Sequence, residues 1–257
     1  MLMLYDMDIM KFLDSPITNV SELIQKLKDN TDNLNIPVWY RGQGNIEWNL
    51  EPKLLRSHKI PPETFYLNKF RQDATMIINH IPKSEFDWLF LMQHYGIPTR
   101  LLDWSESPLV ALYFAVNDSS IINDASLWVL LPTELNKHSN YRPEHEFEVP
   151  SFDDEHLQNY LPSTIARERK SSLYPMAAIA PRNSSRMQAQ QGVFTISHRE
   201  NIYVDEAGAV GASKDHIWRY SIPYDAKEHI RKELKLLGFS KFQLFPELES
   251  LADNLLL

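Results

Sequence analysis

Cysteine is absent from the 257 residues, which excludes disulfides, cysteine-ligated zinc and thiol catalysis together. Glycine is scarce, at seven residues against sixteen prolines. No G-x-G-x-x-G, Walker A, G-x-S-x-G or H-E-x-x-H sequence is present, so the common nucleotide loops, the serine-hydrolase elbow and the zincin motif are missing. No apolar run approaches the roughly 18 to 20 residues of a membrane span. Met1 to Met10 carries two aspartates and no basic residue, unlike a secretory leader. Positive charge is also short: 26 Lys and Arg against 34 Asp and Glu give a net charge of -8, which disfavours a general polyanion binder. These absences describe a cytoplasmic protein away from membranes. What is there in quantity is apolar, at 43% of residues, enough for one large domain or two small ones.

The chain shows no internal repeat and no low-complexity tract. Residues 1–35 read as an N-terminal helical segment, with Ser21 capping Glu22–Lys28 and Leu23, Ile24 and Leu27 on one stripe. Residues 36–257 read as the main domain. Ile36–Arg41 predicts a strand that ends in Arg41, before Gly42. Helices are predicted over Glu63–His80 and Ser84–Tyr95, then a polar loop from Pro98 to Ser107. Ser107 and Pro108 predict a capped start for an apolar helix over Leu109–Val116. Residues 132–163, polar and broken by proline, predict a surface excursion. Strands are predicted at Ser126–Leu131, Gly192–Ser197 and His216–Ile222. A capping box of Asp225 and Glu228 predicts a helix to Leu237 closed by Gly238, and Pro246–Leu256 a last short helix. Helices at the front and strands in the middle, without alternation, predict an α+β fold with mixed or antiparallel sheets.

Polar chemistry concentrates in three places. Arg41 has two readings, a structural tie to loop carbonyls or a planar fork for an anion, with Gly42 leaving room for a ligand and Gln43 adding an amide. The second place is His94 to Ala115, with His94, Tyr95, Arg100, Asp103, Trp104 and Ser107. His94 has a titration range suited to acid or base work. Arg100 and Asp103, three apart, predict an ion pair with each other. Trp104 is either core or a stacking surface, and Ser107 is a helix cap whose following N–H groups can receive an anion. The third place is Arg182 to Phe194, where Gln190 and Gln191 run into an apolar strand and need hydrogen-bond partners if buried. Residues 163–199 hold Arg167, Arg169, Lys170, Arg182, Arg186 and Arg199 against Glu168 alone; this is either a solvated face or a contact for phosphates of a nucleic acid. The acidic run Glu144–His156, with two histidines, matches no metal-ligand spacing.

Tyr-Arg-Gly-Gln at 40–43, His-Tyr-Gly-Ile-Pro-Thr-Arg-Leu-Leu-Asp-Trp-Ser-x-Ser-Pro-Leu-x-Ala-Leu-Tyr-Phe-Ala at 94–115, Arg-x-x-Ala-Gln-Gln-Gly-Val-Phe at 186–194 and Leu-Phe-Pro-Glu-Leu at 244–248 resemble the FRG domain family, named for its Phe/Tyr-Arg-Gly motif. The motif order is similar to that of ADP-ribosyltransferases. In those enzymes a first strand carries an Arg or His that holds NAD, a second leads through a polar element into a helix, and a third carries a catalytic Glu. The resemblance implies an ADP-ribosyltransferase-like cleft with NAD as substrate. It makes Arg41, His94, Asp103 and Gln191 catalytic, and Arg41, Gln43, Tyr95, Arg100, Trp104, Ser107 and Gln190 NAD-binding. Trp104 or Tyr95 would pack on the nicotinamide. The departure is at the third element, where glutamines stand in place of Glu, so that Asp103 or Glu247 must supply the charge or transfer is inefficient. The implied acceptor is a nucleic acid, through 163–199, or a protein, in a toxin or phage-defence effector with a regulatory partner. NAD hydrolysis and a non-catalytic nucleotide-binding module are the alternatives.

Overall fold

The structure is a computed structural model that describes all residues except 1–14, 57–58, 60, 119, 121, 169–171, 201, 209–214 and 257. The N-terminal decapeptide, Arg169 and Lys170 therefore lie outside the described residues. Six strands form one sheet: β1 Trp39–Gln43, β2 Leu101–Ser105, β3 Ala125–Leu130, β4 Met176–Ala178, β5 Gly192–Ile196 and β6 Ile217–Ile222, in the order β4-β5-β2-β1-β3-β6. Every ladder is antiparallel. The helices are α1 Val20–Thr31, α2 Glu63–Ala74, α3 Glu85–His94, α4 Pro108–Val116, α5 Pro132–His138, α6 Pro162–Arg167, α7 Ser185–Ala189, α8 Lys227–Leu236, α9 Lys241–Leu244 and α10 Leu248–Leu255. The fold is α+β, as the grouping of elements predicts.

The sheet is nearly split along its middle. β1 and β3 pair along their length, from Trp39 opposite Leu130 to Gln43 opposite Ser126. β2 and β5 do the same, from Leu101 opposite Ile196 to Ser105 opposite Gly192. Between β1 and β2 a single register pair, Tyr40 opposite Ser105, joins the two halves. Alternation sorts the side chains into faces. On one face Leu102, Trp104, Trp128, Val193 and Ile217 form a continuous core. On the other, two separate cores cover the two halves. Tyr40, Leu127, Val129 and Tyr220 pack with α1, α4 and α8, while Leu101, Phe194 and Ile196 pack with α2 and α3. The groove between these helical layers runs over the seam.

Gly42 is what brings α4 onto β1. A Cβ there would lie 1.8 Å from the carbonyl oxygen of Ala111 and 2.6 Å from the nitrogen of Ala115. The missing side chain thus makes room for a helix backbone and not for a ligand, which corrects the expectation from sequence.

Several boundaries differ for local reasons. Asn19, not Ser21, caps α1, its Oδ1 accepting from the Glu22 N–H at 2.9 Å, and Glu22 accepts from the Thr18 N–H in return. Arg41 lies inside β1, because Gly42 and Gln43 continue the ladder against Leu127 and Ser126. The helix from Glu63 stops at Ala74 rather than His80. The helix after Ser84 is started by the reciprocal pair of Ser84 and Asp87. The region expected to loop from Pro98 to Ser107 contains β2. Asp225 and Glu228 form no capping box; a 3-10 turn over Tyr224–Ala226 leads into α8. Residues 132–163 are not a surface excursion, since Leu135, Phe152, Leu157 and Tyr160 are buried there.

Arg100 is the hub of the α2 side. Its Nε donates to Glu63 Oε2 at 2.7 Å, its Nη1 to the Ser197 carbonyl at 2.8 Å and its Nη2 to the Tyr160 carbonyl at 2.6 Å. Glu63 also accepts from the Arg100 N–H at 2.9 Å, and both side chains are buried. The expected Arg100–Asp103 pair does not form, because Glu63 takes the Arg100 guanidinium while Asp103 accepts from Gln93.

Buried His198 stacks edge-on to Tyr160. Burial, followed by the nearby Arg100 cation, pulls its pKa down to about 4. The native state therefore holds this ring neutral, whereas the unfolded chain protonates it near pH 6.5. Stability from this source is complete above that pH and is lost as pH falls toward 4, by roughly 2 to 3 kcal/mol. Urea denaturation at pH 7 and pH 4.5 is expected to show this loss, and His198→Phe to reduce it. An identical pH dependence in the variant would assign the acid sensitivity elsewhere.

Candidate functional site

A cavity of about 650 Å³ opens over the seam. Its walls are Phe90, Gln93 and His94 of α3, Val110, Ala111 and Phe114 of α4, Arg186 and Met187 of α7, and the loop carrying Glu47, Trp48, Asn49, Glu51 and Arg56. The strands contribute Tyr40–Gln43, Asp103–Ser105, Gly192 and Phe194. This size suits a ligand of nucleotide or dinucleotide scale.

Arg41 spans the seam. Its Nη1 donates to the backbone carbonyl of Asp103, across the gap between β1 and β2. Burial pushes the guanidinium's pKa down, and the Arg56 cation adds to this while Asp103 opposes it. The buried Nε–H has no hydrogen-bond partner among the described residues. A buried donor left open is costly.

Asp103 is the exposed position in the otherwise buried strand Leu-Leu-Asp-Trp-Ser. Its Oδ2 accepts from Gln93 Nε2 at 2.8 Å, and Gln93 Oε1 accepts in turn from Thr99 Oγ1 at 2.6 Å. Ser105 donates its hydroxyl to the Gln190 carbonyl at 2.7 Å, tying β2 to the turn before β5.

His94 lies at the C-terminal end of α3, its Nε2 3.7 Å from Glu247 Oε1. Burial first, and then Arg186, lower its pKa, while Glu247 raises it. Arg186 covers the Phe245 ring at 4.6 Å.

The structure thus brings Arg41, His94, Asp103 and Gln190 to one cavity. The other expected residues have different positions. Gln43 borders the cavity, but its amide is used within the fold: Oε1 accepts from Trp128 Nε1 at 2.8 Å and Nε2 donates to the Asn49 carbonyl at 3.1 Å. Trp104 also contributes to the wall, yet its ring belongs to the core on the opposite face and donates to Thr195 Oγ1 at 3.0 Å. Ser107 accepts from the Val110 N–H as the cap of α4 and does not line the cavity. Arg100 is held by Glu63. Tyr95 is exposed and outside the lining. Gln191 has a positive φ of 47°, its carbonyl accepts from the Glu106 N–H at 3.1 Å, and it too is outside the lining.

The basic stretch is distributed over the fold. Arg167 donates to the Ser163 carbonyl, Arg182 pairs with Glu106, Arg186 donates to the His94 carbonyl and Arg199 to the carbonyls of Ile165 and Glu168. Sequence reasoning passed over Gln93, Trp48 and Arg56. For Gln93 a signal existed, since it lies one residue before His94 in the same motif.

Residues 37–123 match the family model of the FRG domain. Over that stretch the chain is similar to the FRG domain. The FRG match includes β1, α3, β2 and α4, and therefore Arg41, Gln93, His94 and Asp103. It ends before the Gln190–Gly192 turn. No curated protein and no solved structure matches the chain. Among the described residues no helix is long and apolar enough to cross a membrane.

Proposed function

We propose that the protein is an ADP-ribosyltransferase-like enzyme that uses NAD as substrate in the seam cavity. The observation that carries this reading is the convergence of Arg41 and Asp103 across the split between β1 and β2. An anion-binding fork with an open buried donor stands beside an accessible carboxylate, in a cavity large enough for a dinucleotide. The order of the three elements adds support: β1 with its Arg, β2 leading through Ser107 into α4, and β5 lie side by side in the sheet.

In this reading Arg41 grips the pyrophosphate, and Asp103 faces the reacting ribose. The bond from ribose C1′ to the nicotinamide nitrogen breaks, and its electron pair neutralises the pyridinium. Positive charge grows on the ribose as this happens. The Asp103 carboxylate stabilises that charge in place of the Glu that the third element lacks. The acceptor, a hydroxyl or ring nitrogen of a protein or nucleic acid, bonds to C1′ and releases its proton to water. Glu247 is less suited to this role, since it sits against His94 and outside the lining. An intracellular effector, such as a toxin or phage-defence protein controlled by a partner, fits such an activity.

Incubation with NAD carrying a labelled adenylate, together with mixed protein and nucleic-acid acceptors, tests the reading. Release of nicotinamide and labelling of a macromolecule are expected, with Asp103→Asn slowing release about a hundredfold. Nicotinamide release without a labelled macromolecule would make the enzyme an NAD hydrolase. Saturable NAD binding without turnover, lost in Arg41→Ala, would make it a recognition module. Neither binding nor turnover would sink the proposal.

A further inference from the structure

We infer that Gln93 is a positioning residue: its side-chain amide holds the Asp103 carboxylate in one orientation over the seam, with Thr99 fixing the amide. This inference rests on the functional reading above and concerns a residue outside the motif positions that suggested it.

The argument begins with Asp103 itself. A carboxylate on an exposed strand position turns easily about its side-chain torsions and accepts from water in several directions. Among the described residues Gln93 is its one side-chain hydrogen-bond partner, at 2.8 Å. The Gln93 amide is anchored at its other end. Thr99 is buried and its hydroxyl donates to Gln93 Oε1 at 2.6 Å, while the same hydroxyl accepts from the Leu101 N–H at 3.2 Å. The Asp103 carboxylate can only accept, so Nε2 of Gln93 is the end that faces it, and Oε1 is left to take the Thr99 proton.

The relay also spans the elements that form the cavity. Gln93 lies on α3, Thr99 immediately before β2 and Asp103 within β2, while Arg41 of β1 holds the Asp103 carbonyl from the far side of the seam. Asp103 is thus restrained at its backbone by one half of the sheet and at its side chain by the other half's helix. A carboxylate that must meet growing positive charge works best when it needs no reorganisation as the charge appears. A neutral amide donor suits this purpose, because it orients the carboxylate without cancelling its charge.

Two substitutions at Gln93 and one at Thr99 separate this role from simple packing. Gln93→Met keeps length and volume but removes the donor. It is expected to lower kcat for nicotinamide release about tenfold, as loss of one orienting group does, while KM for NAD and the melting temperature stay near wild type. Gln93→Glu sets a second carboxylate against Asp103, so the pair shares a proton and the acid limb of the kcat profile moves up by about one pH unit. Thr99→Val frees the amide to rotate and is expected to act in the same direction as Gln93→Met, more weakly.

Wild-type kcat in Gln93→Met with an unmoved acid limb in Gln93→Glu would overturn the inference and leave the functional reading standing. If the wild-type protein releases no nicotinamide, the functional reading fails instead. The hold on Asp103 is then read by a carboxyl 13C titration, and identical Asp103 curves in wild type and Gln93→Met overturn it.

Discussion

Gly42→Ala is expected to destabilise the protein by at least about 3 kcal/mol, a large share of the roughly 5 to 15 kcal/mol that holds an ordinary domain together. The new methyl would overlap the Ala111 carbonyl oxygen at 1.8 Å and the Ala115 nitrogen at 2.6 Å. Both are backbone atoms of α4, so no rotamer change can relieve them. Relief requires α4 to withdraw from β1, and α4 carries Val110, Leu112, Ala115 and Val116 into the core. Gaps left by such a movement forfeit dispersion contacts along the whole helix. Loss of cooperative unfolding, or a large drop in the denaturation midpoint, is the expected readout. A melting temperature within a few degrees of wild type would show that the helix can shift freely.

Arg100→Met carries the next largest expectation. It leaves the Glu63 carboxylate buried without its cation and leaves the Ser197 and Tyr160 carbonyls without donors. Breaking one side of a buried ion pair costs about 3 to 5 kcal/mol. Adding Glu63→Leu removes the orphaned charge, so the double variant is expected to recover a substantial part of that loss. The two variants are compared by urea denaturation at pH 7. A double variant as unstable as the single would mean that the carbonyl contacts, and not the carboxylate, dominate. Neither residue lines the cavity, so both variants address the scaffold alone.

Apolar patterning made much of this fold legible. Leu109–Val116 is helical because Ser107 and Pro108 start it and no polar residue interrupts it. Ala125–Leu130 and Ile217–Ile222 carry the β-branched and aromatic residues of buried strands. β2 was not legible, and the reason is local. Five residues between two prolines, with Asp103 at their centre, resemble a polar loop until β5 is known to pair with them. Long-range pairing decides such a segment, and no window of sequence contains it.

The candidate site divides the same way. Arg41 and Asp103 were visible as chemistry, and the cavity brings them together. Arg100 was assigned to Asp103 because the two lie three apart in what reads as a loop, whereas Asp103 belongs to a strand and Arg100 precedes it. Its partner Glu63 stands 37 positions earlier in the chain. Strand alternation sends the Trp104 ring away from Asp103. Gly42 illustrates a different gap: the sequence shows that a side chain is missing, but not which neighbour fills the space.

The lone ladder pair between β1 and β2 makes the molecule resemble two three-stranded panels closed by one clasp. An occupant gripping Arg41 and Asp103 at once would add rungs to that clasp. Affinity for such a ligand and resistance of the panels to parting would then be the same quantity measured twice.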